Sequence, residues 1–594
     1  MREYRVPTKE CLRTTMSKRI YPTGLVELKA CQNLGGLAGL LSVEPKFLSQ
    51  QIYHTPDEAK YRTFEIFKKD GSTRTIHAPN KNLKFLQSRL SRLLYQSFFD
   101  IHGAPEFPQK QLSHGFQKQR NLSIYTNATR HVGRRFVFNA DIENFFPSFN
   151  FGRVRGYFIK NKHFELNETV ATVIAQTACF QNHLPQGAPC SPIISELITQ
   201  TLDFRFQALA RKFRCSYSRY ADDITFSTNM NEFPSSIAQE DDEGTWKVGS
   251  GFERAIKSCG FSTNNKKVRM QRDYQRQATT GLTVNEKVNI GNYYYKGVRY
   301  CSHSMMTTGK AVATGTLSTN TPKEITNNQI WGMLCHVNDI KGRELPHKAI
   351  RALKPAPGFL KLMRDFYHYR RVHLTEKPLI ICEGKTDYIY LKEAIRWNFQ
   401  DPRIKKCFVS PSALPGVKSN KGDHWNVDFV KHSETAGNLL DLAGGGGSLK
   451  SFASYHLERI KKLHADKNKP VIIIVDNDEQ SSGMFTFIKQ ITGSVAKIDG
   501  SEPFYHVAGN LFVVPIPKGA SKEAEIEDLF LPETLNEKIG GKSFKRDQAK
   551  GERLGPNDYG KNDFATKVIR AKRGKVDCSG FLPLLRTICD IIER

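Results

Sequence analysis

FVFNADIENFFPSF (136–149) and SRYADDITFS (218–227) are the two stretches on which the reading of this sequence turns. The first is an apolar run that ends in Asp141; the second is two short runs joined by Ala221-Asp222-Asp223. An apolar run closed by an acid reads as a strand with a carboxylate at its end, and two runs around a tight polar turn read as a hairpin. Carboxylates gathered from a strand end and a neighbouring turn are hard oxygen donors, of which Mg2+ accepts one or two per ion. Phosphoryl transfer to a 3′-hydroxyl uses two divalent cations about 3.5–4 Å apart, one activating the attacking oxygen and one steadying the leaving pyrophosphate. The pattern predicts Asp141, Asp222 and Asp223 as catalytic, metal-holding residues, with two Mg2+ ions as cofactor.

The surrounding sequence, from roughly 60 to 300, mixes short strands, helices and polar turns. YRTFEIFKK, then DGS, then TRTIHAP reads as a hairpin closed by an Asp-Gly turn. Leu83, Leu86, Leu90, Leu93 and Leu94 fall at helical spacing. Thr321-Pro322-Lys323-Glu324 has the form of a capping box, which predicts a helix opening there. After HYRRVHLTEKP the character changes. LIIC (379–382) and VIIIV (471–475) are continuous apolar runs, as in the strands of a parallel sheet covered on both faces. The boundary is expected near residue 375. The C-terminal segment presents Phe581, Leu584, Leu585, Ile588, Ile591 and Ile592 on one helical face, which should dock on the body of the protein.

At 594 residues the chain requires at least two domains. The formal charge of +29 favours polyanionic partners, nucleic acid first among them. The 12 cysteines are scattered singly, without the pairing that zinc sites or disulfide frameworks use. No apolar run is long enough to span a bilayer, and MREYRVPTKE lacks the apolar core of a signal peptide. The expectation is a cytoplasmic protein with no membrane association.

The two acidic stretches resemble motifs A and C of the reverse transcriptases, with YADD at Tyr220–Asp223 and the motif A aspartate at Asp141. HLPQGAPCSP (183–192) resembles motif B, where Gln186 and Gly187 would let the backbone pass close to nucleotide and template. The resemblance implies that Phe146 packs against the sugar of the incoming dNTP and disfavours a 2′-hydroxyl. KKDGSTRTIHAP is similar to the fingers hairpin, making Lys69 and Arg74 triphosphate contacts; GFSTNNKKVR resembles motif D, with Lys267 reaching the active site. NATRH (127–131) and TTGLTVN (279–285) further resemble the NAxxH and VTG signatures of retron reverse transcriptases, Thr279 standing where those enzymes carry Val. That family implies a bacterial enzyme bound to its own structured noncoding RNA. It would prime from an internal guanosine 2′-hydroxyl to make branched msDNA.

In the second half, Glu383 follows LIIC, with Asp387 four residues on, and Asp476-Asn477-Asp478 follows VIIIV. Acidic residues at the carboxyl ends of neighbouring parallel strands can share one ligand. The arrangement resembles Toprim domains, with Gly444–Gly447 as the intervening glycine turn; DNDEQSSG is a stretched form of the usual DxDxxG, so Gly483 does not match. EIEDLF and KNDFA are similar to distal positions of the OLD-type branch, which would add Glu527 and Asp528 as metal ligands and Lys561 as a phosphate contact. Mg2+ or Mn2+ would serve there. The expected architecture is therefore multidomain α+β and α/β. Fingers and palm (1–310) and thumb (311–374) form a right-hand polymerase, followed by a Rossmann-like Toprim domain with a parallel sheet and a C-terminal helical extension (375–594). The implied role is anti-phage defence, with the Toprim unit as a nuclease acting on a nucleic acid target; homo-oligomerisation stays open. Two alternatives compete: a group II intron-type enzyme of a mobile element, and a ribonucleoprotein scaffold whose Toprim fold binds without cutting.

Overall fold

The computed structural model describes residues 24–67, 71–103, 112–117, 121–314, 317, 322–343, 345, 356–408, 425–430, 434–442, 446–464, 469–519, 521–546 and 554–594. The chain divides into two compact units, one running to Tyr294 and the other comprising Tyr295–Leu317 and Pro322–Arg594. The division falls well before residue 375, and the helices at Asn327–Lys341 and Gly358–His368 belong with the C-terminal sheet. The change of composition near 375 thus marks the start of the parallel sheet, not the edge of a compact unit.

In the first unit, Tyr61–Phe67 pairs antiparallel with Thr73–Pro79, Phe64 opposite Ile76, as the Asp-Gly signal predicted. Lys68, Lys69 and Asp70 lie outside the described residues. Helix Lys81–His102 starts where Asn80 Oδ1 accepts a hydrogen bond from Leu83 N at 2.8 Å. It buries Leu83, Leu86, Leu90 and Leu94, while Leu93 is half-buried. The central sheet has four antiparallel strands in the order Ser216–Tyr220, Asp223–Thr228, Phe136–Asp141, Arg269–Arg272. One face of its inner strands is buried because helix Ser191–Lys212 and helix Ser250–Ser258 supply Phe206 and Phe252 to the rings of the cross-strand pair Phe138 and Phe226. Each such ring taken from water is worth roughly 1.5–3 kcal/mol. The acidic strand ends are thereby fixed to a packed floor.

The second unit is built on a five-stranded sheet ordered Asp428–Phe429, Leu379–Cys382, Val471–Val475, Leu511–Pro515, Tyr505–Ala508; only the last strand is antiparallel. Alternate residues feed two cores. Ile380, Cys382, Ile472 and Ile474 pack on one side with the C-terminal helix Leu582–Ile592, and Leu379, Ile381, Val471 and Ile473 pack on the other. The apolar face read at the C-terminus does dock on this body.

One local expectation is overturned. Lys323–Glu324 is a short strand paired with Val312–Ala313, not the first turn of a helix. The helix opens at Asn327, where Thr326 and Gln329 form the capping box: Gln329 N donates to Thr326 Oγ1 at 3.3 Å, and Thr326 N donates to Gln329 Oε1 at 2.8 Å. A second capping signal begins five residues after the first, and this one, directly preceding the apolar series Ile330, Leu334, Val337, Ile340, prevails. Gly444 and Gly445 lie outside the described residues, and Gly446 opens helix Gly446–Ile460. Among the described residues, no helix is long and apolar enough to cross a membrane.

Candidate active site

Asp141, the last residue of its strand, stands directly opposite Asp223, the first residue of the next. Tyr220 also pairs with Asp223, so Ala221-Asp222 forms the whole of a tight turn, with Ala221 in the left-handed region at φ +55°. Ile142 N donates to Asp222 O at 3.0 Å, fastening that turn to the Asp141 strand, and Asn264 N donates to Asp141 O at 2.8 Å. The three predicted aspartates are thus brought together. Burial, then the neighbouring Asp141 charge, raises the Asp222 carboxyl; burial, then Asp222 and Asp141, pushes Asp223 up to about 7. Like charges so placed resist ionisation until a cation joins them.

Lys267 Nζ lies 2.7 Å from Asp141 Oδ2. Burial opposes its charge, but the hydrogen bond to Asp141 and the surrounding carboxylates outweigh it and raise the lysine. Among the described residues, no three Asp, Glu, His or Cys side chains already stand in ion-holding geometry. One ammonium against three carboxylates leaves an excess of negative charge on hard oxygens, and the donor set fits Mg2+.

Around this centre, Phe145 is buried in the core, whereas Phe146 is half-buried, 5.3 Å from the Phe145 ring and 6.0 Å from Phe116. Gln186 O accepts from His77 N at 2.8 Å, joining the predicted motif B to the fingers hairpin. Gly187 sits at φ +116°, with His77 O 2.8 Å from where a Cβ would be. The side-chain Oε1 of Gln186 is buried without a partner. Arg74 is exposed on the same hairpin, and its charge favours the ionised form of Asp222.

The model of the family described as reverse transcriptase (RNA-dependent DNA polymerase) matches residues 66–284. The retron Ec86 reverse transcriptase of Escherichia coli is 32% identical over 279 residues, covering 46% of this chain and 79% of that one. This chain belongs to the retron reverse transcriptases. The retron Mx65 reverse transcriptase of Myxococcus xanthus is 34% identical over 271 residues, and the match spans 58% of its length and 43% of this chain. Among solved structures, telomerase from Candida albicans aligns over 58% of this chain and 65% of that one at 9% identity, but its TM-score of 0.28 carries no argument.

In this retron-family chain the NATRH segment acts as a brace. Asn127 and His131 are fully buried. His131 Nδ1 is 2.7 Å from Ser227 Oγ and Nε2 is 2.7 Å from Ser218 Oγ; Ser218 Oγ in turn donates to Asn127 Oδ1 at 2.7 Å. Because Ser218 spends its proton on Asn127, Nε2 must carry the ring proton and Nδ1 accepts from Ser227. Burial, reinforced by Arg130, holds His131 well below its ordinary value, so it stays neutral. The two serines lie on the two strands of the YADD hairpin. In TTGLTVN, Thr279 pairs with Leu282 around Thr280 (φ +48°) and Gly281 (φ +82°), the paired positive angles of a tight hairpin turn.

The second acidic group in this retron-family chain lies at the carboxyl ends of the parallel strands. Asp476 N donates to Glu383 Oε2 at 3.3 Å, Ile526 N donates to Asp476 Oδ1 at 3.1 Å, and Gly384 N donates to Asp387 Oδ2 at 2.7 Å. Lys561 Nζ bridges Glu525 at 3.1 Å and the buried Glu527 at 3.2 Å. Burial, then the charges of Asp387, Glu383 and Glu527, pushes Asp476 up to about 8; burial, then Glu527, pushes Asp387 up to about 6. Two further predicted members also make local contacts. Asp478 Oδ1 caps Ser481 N at 2.9 Å, and Asp528 accepts from Glu525 N at 2.8 Å and pairs with Arg546. Glu525 was not predicted, although the alternation of EIEDLF places Glu525 and Glu527 on one side. Arg219 was not predicted either: a single charge inside an otherwise buried strand was its signal.

Proposed function

We propose that this chain is an RNA-directed DNA polymerase that copies a structured noncoding RNA into branched, RNA-linked msDNA. The observation that carries the reading is the cross-strand pairing of Asp141 with Asp223, with Asp222 in the intervening turn. Asp141, Asp222 and Asp223 would hold the metal; bound Mg2+ supplies the positive charge that activates the primer hydroxyl and offsets charge on the leaving pyrophosphate. Lys267 would then leave Asp141 for the triphosphate, which Arg74 would also contact; Lys69, expected as a further contact, lies outside the described residues. Phe146 would oppose a ribose 2′-hydroxyl, and Gln186-Gly187 would support the nucleotide through backbone. Membership of the retron family supports the RNA partner, the dNTP substrates and a bacterial cytoplasmic setting.

The second unit is read as a Toprim-like, divalent-metal nuclease in anti-phage defence. Glu383, Asp387, Asp476 and Glu527 would supply the carboxylates that hold the metal, and Lys561 would be the phosphate contact. The parallel strand order and acidic carboxyl ends support that reading. Expression of the full chain with its upstream DNA tests both halves. Asp222→Asn with Asp223→Asn should remove RNA-linked DNA. Glu383→Ala should leave that DNA intact and remove phage protection and metal-dependent nicking. Nicking that survives Glu383→Ala would overturn the nuclease assignment, and a wild-type protein that binds nucleic acid without nicking it would favour the scaffold.

A further inference from the structure

The turn that carries Asp222 and Asp223 rests on two supports outside the metal-holding residues. On one side, the segment at 112–117 runs beside strand Ser216–Tyr220: Arg219 N donates to Leu112 O at 2.9 Å, and His114 N donates to Arg219 O at 2.8 Å. Gly115 approaches so closely that a Cβ there would lie 2.5 Å from Ala221 N. On the other side is the Arg219 side chain, one of the largest fully buried groups of the molecule.

Its guanidinium is fixed in one orientation. Nε donates to Asp203 Oδ1 at 2.8 Å and Nη2 to Asp203 Oδ2 at 2.6 Å, a two-pronged contact, while Nη2 also reaches Glu196 Oε2 at 3.1 Å. Nη1 points the other way and donates to Ala221 O at 3.0 Å. The two acids are anchored in turn. Tyr217 Oη donates to Asp203 Oδ1 at 2.7 Å, and Glu196 accepts from Ser113 Oγ at 2.9 Å and Gln117 Nε2 at 2.7 Å. Asp203 and Glu196 lie on the long helix Ser191–Lys212. Burying one cation with two acids is a costly way to hold a strand, since an apolar residue would pack there with less desolvation. What an apolar residue could not do is grip Ala221 O. Ala221 holds a left-handed conformation that residues with a Cβ avoid, and that conformation sets the direction of the two carboxylates after it.

We propose that Arg219, held by Asp203 and Glu196, is a positioning residue that keeps Ala221 left-handed so that Asp222 and Asp223 face Asp141 ready for metal. The inference rests on the polymerase reading of that site. A lysine would keep the charge and lose the fork, so it would hold either the helix or the turn but not both.

The test is iron-mediated backbone cleavage of the full-length protein, with ascorbate, peroxide and Fe2+ held well below the concentration that saturates cleavage, competed by Mg2+. Cut positions report local metal occupancy, and DNA synthesis is read in parallel. In wild type, cuts beside 141 and 222 should fade as Mg2+ is added. In Arg219→Lys the Mg2+ needed should rise about tenfold, the scale of losing the support for one strained residue, while any cuts beside 383 and 476 compete as in wild type. A folded Arg219→Lys that competes like wild type overturns the proposal, even if its melting temperature falls, because the arginine is then only structural. If Arg219→Lys does not fold, Gly115→Ala and Asp203→Asn decide. The first presses on Ala221 N from the opposite support, and the second, which loosens the two-pronged grip on Arg219, is read beside it. A shift in Asp203→Asn supports the proposal. Wild-type competition in Asp203→Asn with a shift in Gly115→Ala overturns it, as does wild-type competition in both. Failure of the underlying reading looks different: wild type itself then makes no DNA and shows no cut beside 141.

Discussion

Replacing Gly187 with alanine should damage nucleotide use more than stability, and the structure sets the scale. At φ +116° an alanine is strained by about 1–3 kcal/mol, and its Cβ would sit 2.8 Å from His77 O. That contact can be relieved by moving the hairpin strand Thr73–Pro79, which breaks the 2.8 Å bond from His77 N to Gln186 O at a further cost of about 0.5–1.5 kcal/mol. The total of about 2–4 kcal/mol divides between a lower melting temperature and a displaced hairpin carrying Arg74. Steady-state dNTP incorporation on a primed RNA template should show kcat/KM reduced about 10- to 100-fold, chiefly through KM. Gly156→Ala is the control. It lies in helix Phe151–Lys160 with nothing within 4 Å of its added Cβ, so it should gain about 0.5–1 kcal/mol and leave KM unchanged. A Gly187→Ala protein with wild-type KM and melting temperature would refute the link between motif B and the hairpin.

Other perturbations probe other parts of the molecule. His131→Ala takes the acceptor of Ser227 and the donor to Ser218 out of the interior, so it should cost about 2–4 kcal/mol and speed amide exchange in strand Ser216–Tyr220; unchanged exchange there would sink the brace. The raised Asp476 carboxyl means that the folded protein holds this proton more tightly than the unfolded chain does. Its contribution to stability is therefore full below the unfolded value near 3.8 and is lost as pH rises through about 8. Thermal unfolding in chelator should show Asp476→Asn more stable than wild type at pH 9 and level with it near pH 4, with Mg2+ narrowing the gap; parallel curves at all pH values would contradict the clustering.

Much of this was legible in the sequence because the relevant signals are local. Continuous apolar runs marked the parallel sheet, an apolar run closed by an acid marked the Asp141 strand, and YADD fixed its own hairpin because a two-residue turn admits few registers. What was hidden is long-range or redundant. The capping box at Thr326 and Gln329 competed with one five residues earlier, and only pairing with Val312–Ala313 excluded the first. The bonds of Asp478 and Asp528 to the backbone amides of Ser481 and Glu525 depend on local turn geometry, which residue spacing does not specify. Arg219 needed partners on the helix Ser191–Lys212, and nothing in the strand itself announces Asp203 or Glu196.

The central claim is that Asp141, Asp222 and Asp223 form a working polymerase centre, and its most direct measurement is dNTP incorporation by purified protein on a primed RNA template. Wild type should extend the primer only when Mg2+ is present, and Asp222→Asn with Asp223→Asn should reduce extension to background while the protein remains folded. Extension that persists in the folded double variant would place the chemistry elsewhere and contradict the account.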